Sequence, residues 1–96
     1  MRQTYIVTYD VSDPKRLRKV FKTMKGYGDH LQLSVFRCEL THRQLVELRA
    51  RLGGIIHHDC DQVLSVDVGP EEGRATTSIS AIGKAYKAPE RCAVVV

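Results

Sequence analysis

The chain has 96 residues, with 15 Lys and Arg against 11 Asp and Glu and a formal net charge of +4. That length predicts one domain with an adequate but not generous core, so pairing with a second copy is an economical source of buried area. No secretory h-region or apolar run near the ~18 residues of a membrane span is present, and Cys38, Cys60 and Cys92 lack C-x-x-C spacing, so a reducing cytoplasm without a disulfide framework is expected.

The first strand is expected at about residues 4–11. Tyr5, Val7, Tyr9 and Val11 point one way and Ile6, Thr8 and Asp10 the other. Asp13-Pro14 then reads as a helix start, with Asp at the N-cap and Pro at N1. Leu17, Val20, Phe21, Met24 and Tyr27 recur at helical spacing. Lys15, Arg18, Lys19, Lys22 and Lys25 take the opposite face, with Arg16 on its flank, and Gly26 and Gly28 close the helix.

Leu31 to Leu40 is long for one strand and is expected to bend near Ser34, giving segments at 30–33 and 35–40. Thr41 and Gln44 match a capping box. Leu45, Leu48 and Leu52 form the core stripe of a second helix, which Gly53-Gly54 is expected to end through a positive φ. A strand follows at about 61–68, with Leu64, Val66 and Val68 on one face. Residues 69–73 read as a turn or loop, and 78–83 and 91–96 as short strands. An apolar end at Val94-Val95-Val96 suggests a strand added to a neighbour's sheet edge.

This order predicts an α+β fold of the ferredoxin-like, split β-α-β kind: an antiparallel sheet with two helices on one face and an extra C-terminal strand. The core occupies residues 1–69, and residues 70–96 form a loop and strand extension open to exchange with a dimer partner. The second sheet face needs a cover, for which a two-fold homodimer is the natural solution.

Charge is unevenly spread. Residues 1–52 balance at +6 and residues 53–96 at −2. Lys15, Arg16, Arg18, Lys19, Lys22 and Lys25 have no acidic residue among them between positions 14 and 28, so the helix forgoes the i,i+4 ion pairs that would support it. A row of this kind suits sequence-independent phosphate contact, to which Arg43, Arg49 and Arg51 could add. The alternative is a solvated face.

Two segments resemble a known family. Tyr9-Asp10-Val11-Ser12-Asp13 before a basic helix is similar to the first motif of the CRISPR-associated endonuclease family, the smaller of the two spacer-acquisition proteins. Gln32-Leu33-Ser34-Val35-Phe36-Arg37-Cys38-Glu39-Leu40 is similar to its second. The resemblance covers about residues 4–69, with a loose match at Ile82-Gly83. Arg37 stands where the family usually has glutamate, and His30 where many members have arginine.

The resemblance implies a ferredoxin-like homodimer whose C-terminal strand completes the partner's sheet. It implies that Asp10 from each subunit holds one Mg²⁺ across the two-fold axis, and that some members cleave RNA or DNA. It also implies a structural role, in which the dimer sits between copies of the larger integrase subunit and holds DNA.

For the residues themselves two readings stand side by side. Asp10 is a metal ligand and catalytic carboxylate, since phosphodiester cleavage needs a nucleophile and charge neutralisation that Mg²⁺ can supply, or it is a strand-terminal Asp accepting loop amides. Asp13 is an N-cap or a residue behind the metal. Tyr9 packs in the sheet or meets nucleic acid. Ser34 bonds at a strand bend, no His being placed to activate it, and Phe36 is core or dimer interface. His57-His58-Asp59-Cys60-Asp61 is a polar loop, because adjacent ligands diverge where Zn²⁺ needs convergence.

Three functions follow: a Mg²⁺-dependent endonuclease of CRISPR adaptation, either an endoribonuclease or a DNase; a non-catalytic scaffold holding DNA and the integrase subunit; and a small ferredoxin-like regulatory or ligand-binding protein.

Overall fold

A computed structural model describes residues 1–70 and 79–84. The elements run β1 (Gln3–Asp10), α1 (Pro14–Lys25), β2 (Asp29–Gln32), β3 (Val35–Leu40), α2 (His42–Gly53) and β4 (Gln62–Pro70). All pairings are antiparallel and the sheet order is β2-β3-β1-β4. This is the ferredoxin-like arrangement that the strand and helix order predicts.

Both helices cover one face of the sheet. Alternation along β1 sends Tyr5, Val7 and Tyr9 to that face. The register pairs Tyr5 with Cys38 and Val7 with Phe36, bringing those side chains to the same side. Val20 and Met24 of α1 and Leu48 and Leu52 of α2 complete the core. Leu17, placed on the core stripe by its spacing, is 40% exposed and lies outside the buried core cluster.

The caps form as their residues predict. The Asp13 carboxylate accepts from the Lys15 N–H at 3.0 Å and the Arg16 N–H at 2.9 Å, and these bonds hold its pKa below the ordinary carboxylate range. Thr41 Oγ1 accepts from the Gln44 N–H while Gln44 Oε1 accepts from the Thr41 N–H, the reciprocal pairing of a capping box. Tyr27 Oη donates to Glu47 Oε1 at 2.6 Å, tying the end of α1 to α2.

Three expectations are corrected. Residues 31–40 divide near Ser34 into two segments as expected, β2 and β3, but by a reversal and not a bend: Leu33 and Ser34 are a two-residue turn, and β2 folds back onto β3 as a hairpin. The turn contains no positive φ, and the register shifts between His30 and Gln32, compensating for a turn whose twist does not match the strands. Gly53-Gly54 does not end α2 through the left-handed region. Gly54 has φ −80°, and its N–H reaches the Ala50 and Arg51 carbonyls, so helical turns of falling pitch satisfy the last carbonyls without a left-handed residue.

The third correction concerns the C-terminal side. β4 continues through Gly69 to Pro70 where a loop was expected, since Gly69 adopts φ +105° and absorbs a bulge between the Tyr5–Asp67 and Gln3–Pro70 pairs. Residues 79–83 are not a strand; Gly83 has φ +88°, outside the extended range. The strand expected at 91–96, and with it the proposed exchange, lies outside the described residues.

Candidate functional site at the end of the first strand

Asp10 is the last residue of β1 and is exposed. It is fixed from both sides. On one, the Tyr9 N–H donates to the Ser34 carbonyl at 3.1 Å, joining β1 to the β2–β3 turn. On the other, Asp10 faces Gln62 at the start of β4. Among the described residues no hydrogen bond or ion pair engages its carboxylate, and no loop amide among them donates to it.

Neither does any group of three or more His, Cys, Asp or Glu residues converge on a metal site among the described residues. One hard oxygen donor set per chain suits Mg²⁺, which keeps several waters and takes one or two carboxylates. The Asp10 carboxylate is a hard oxygen donor of the kind Mg²⁺ takes, and among the described residues no second carboxylate joins it in a metal-binding group.

The second motif supports this corner from beneath. Phe36 is fully buried, and its ring lies 6.3 Å from that of Tyr9 and 5.7 Å from that of Phe21. Tyr9 is 5% exposed, so its ring belongs to the core rather than to the surface. Its hydroxyl has no partner among the described residues, and burial raises its pKa. Ser34 acts through its backbone carbonyl at the turn.

On α1, Lys15, Arg18, Lys19, Lys22 and Lys25 are exposed, and Lys25 lies over the Phe21 ring at 5.6 Å. Arg16 differs. Its Nε donates to Asp61 Oδ2 at 2.8 Å, and its Nη2 to Asp61 Oδ1 and to Ser12 Oγ, each at 3.3 Å. The guanidinium expected on nucleic acid is committed to a carboxylate of its own chain, and this bond raises its pKa.

Asp61 collects more than Arg16. The Ser12 N–H donates to Asp61 Oδ1 at 3.0 Å, Ser12 Oγ donates to the same oxygen at 3.1 Å, and the His57 N–H donates to Oδ2 at 2.8 Å. Its side chain is completely buried. The Arg16 guanidinium, followed by the His57 and Ser12 N–H groups, holds its pKa far below the usual carboxylate range.

Comparison with known proteins agrees with both motifs. The profile of the CRISPR associated protein Cas2 family matches residues 3–75. The chain belongs to the Cas2 family. It is 44% identical over 92 residues to the CRISPR-associated endoribonuclease Cas2 1 of Rhodospirillum rubrum, covering 96% of this chain and 89% of that one. It is 42% identical to the CRISPR-associated endoribonuclease Cas2 of Geobacter sulfurreducens over the whole of both chains. Among solved structures, Streptococcus pyogenes Cas2 superposes with a TM-score of 0.74 at 33% identity, covering 83% of this chain and 99% of that one. A hypothetical protein of Thermus thermophilus gives 0.78 at 29% identity, with 91% and 98% covered.

In this member of the Cas2 family the structure brings together Asp10, the Ser34 turn and the start of α1, as the motifs suggest. It leaves the rings of Tyr9 and Phe36 inside. The residue that sequence reasoning missed is Asp61. It closes a run of five ligand-type residues, and its partners Arg16 and Ser12 lie 45 and 49 positions away. The only available signal was that an Asp opening a strand has a carboxylate to satisfy and a basic helix has cations to spare. Among the described residues no helix is long and apolar enough to cross a membrane.

Proposed function

We propose that this protein is a nucleic-acid-binding homodimer of CRISPR adaptation with Mg²⁺-dependent endonuclease activity centred on Asp10. The observation that carries the reading is an exposed, unengaged carboxylate at a strand end pinned on both sides, adjoining a helix whose cations face solvent. The relatives' description as endoribonucleases favours RNA as substrate.

The exposed β4 side of the sheet face away from the helices supports the dimer. The register places Ile6, Thr8, Val35, Leu64 and Val66 on that face, with Leu64 and Val66 half exposed. Two copies joined through it would supply two Asp10 carboxylates, both of which the site requires. Asp10 would hold the Mg²⁺, which when bound supplies an activated water and neutralises charge at the scissile phosphate. Lys15, Arg18, Lys19 and Lys22 hold the polyanion backbone, while the Ser34 and Gln62 backbone contacts hold the strand end that carries Asp10.

The test is cleavage of single-stranded RNA and duplex DNA with Mg²⁺ by wild type and Asp10→Asn. The expected result is a loss of at least about 100-fold, the scale on which removal of one preorganised transition-state group acts. Equal cleavage by the two proteins removes Asp10 from the mechanism.

One observation favours a second reading. Each chain contributes a single carboxylate, so an assembly in which the two Asp10 residues stand apart would be a scaffold that holds DNA and the larger integrase subunit without cutting. Spacer acquisition retained by Asp10→Asn in cells would select it.

A further inference from the structure

Arg16 and Asp61 form the most heavily bonded polar cluster described in the molecule, and nothing in the proposed chemistry uses it. The Asp61 carboxylate receives five bonds: two from Arg16, two from Ser12 and one from the His57 N–H. A carboxylate offers about four lone-pair directions. Asp61 is therefore saturated by donors of its own chain and has none left for a cation. Its place in the fold says what it does instead. Ser12 is two residues beyond Asp10, and Asp61 immediately precedes Gln62, which pairs with Asp10 across the β1–β4 ladder. The cluster fastens the chain on both strands at the point where β1 stops.

We infer that Asp61 is a positioning residue for the Asp10 site. Arg16 aligns the Asp61 carboxylate, the carboxylate holds Ser12 by backbone and hydroxyl together, and the hold on Ser12 fixes the direction in which the strand delivers Asp10. This inference rests on the reading of Asp10 as the cation-binding carboxylate. It also reassigns Arg16 from the phosphate-contacting row to the support of the site. The planar guanidinium meets both carboxylate oxygens, a geometry that lysine cannot reproduce.

The experiment measures Mn²⁺ affinity by electron paramagnetic resonance, with kcat and KM for RNA cleavage, on full-length dimeric protein shown to be folded by circular dichroism. Asp61→Asn and Arg16→Lys are expected to weaken Mn²⁺ binding and lower kcat about 10–100-fold, the usual consequence of losing a partner that orients a metal ligand. KM stays unchanged, because the phosphate-facing cations are intact and Arg16→Lys keeps the charge. Ser12→Ala removes only the hydroxyl bond and is expected to give a smaller loss in both readouts. If Asp61→Asn does not fold, the other two variants decide the question. Tyr27→Phe deletes a polar link elsewhere and leaves both readouts at wild-type values.

Wild-type Mn²⁺ affinity in folded Asp61→Asn and Arg16→Lys overturns the inference. So does a rise in KM with kcat preserved in Arg16→Lys, which would return Arg16 to the phosphate-contacting row. Asp10→Asn run in parallel separates the two failures. If it binds Mn²⁺ as wild type does, the Asp10 reading itself fails. If it does not while the Asp61 variants remain normal, only the positioning role is lost.

Discussion

The two faces of the sheet differ in how they are completed. On the helix-covered face Val7, Phe36 and Cys38 are at most 1% exposed, and on the other Leu64 and Val66 stand at 50% and 51%. Both sets belong to the same strands and alternate with one another. The first face is finished by α1 and α2, so its packing is settled within one chain. The second carries a half-exposed apolar patch, the buried Arg37–Glu39 ion pair at 3.3 Å and Asp10 at its end. The second face is uneven: Thr4, Arg37 and Glu39 are buried there, while Leu64 and Val66 on β4 stand half exposed.

The contrast can be broken most forcefully by Phe36→Ala. Loss of a fully buried aromatic ring costs about 3–5 kcal/mol, and thermal unfolding should show a fall of more than about 12 °C for a domain of this size. Val66→Asp addresses the exposed β4 side of the second face. It should leave the melting temperature of the fold nearly unchanged while weakening the proposed dimer by more than about 100-fold, since the interface would then bury an unpaired charge; light scattering reads the mass. A large loss of secondary structure in Val66→Asp would mean that this side stabilises the single chain after all.

Acid titration tests where the covered face closes against the loop before β4. Asp61 and Asp13 both have pKa values lowered by folding. Their stabilisation is therefore present above the unfolded carboxylate value and is lost as pH falls through the folded one. The melting temperature should drop on acidification below about pH 4, and Asp61→Asn should flatten that drop. The smallest effect is expected from Lys19→Ala on the solvent side of α1. Nucleic-acid binding should weaken uniformly across sequences, with the salt slope reduced by about 1, measured by fluorescence anisotropy.

Both helices were legible because their ends are written locally. Asp13-Pro14 and the Thr41–Gln44 pair satisfy amide donors within one turn, and the apolar spacing between the caps supplies the face. Asp10 was legible for a related reason, as a carboxylate at the end of an otherwise apolar or aromatic strand. The hairpin at Leu33–Ser34 was not, since its turn uses none of the Gly, Asn or Asp residues that announce one, and a register shift further along the strand makes it possible. Gly69 misled in the opposite sense. Before Pro it looked like a loop, whereas the ladder uses its positive φ to admit a bulge and continue. Asp61 was hidden by distance, because no local pattern reveals a carboxylate whose donors come from Ser12 and Arg16.

Gly28 lies in the three-residue link between α1 and β2. A Cβ at this position would come within 2.5 Å of both the Arg37 carbonyl oxygen and Cys38 Sγ, an approach that no other residue permits without moving β3. The link is pinched between the helix end and the neighbouring strand, which leaves it no slack. The basic helix and the hairpin whose turn grips Tyr9 are therefore clamped at a set spacing, like the jaws of a gauge. Any side chain at position 28 would push β3 away from the end of α1, and with it the turn whose Ser34 carbonyl holds the Tyr9 N–H beside Asp10.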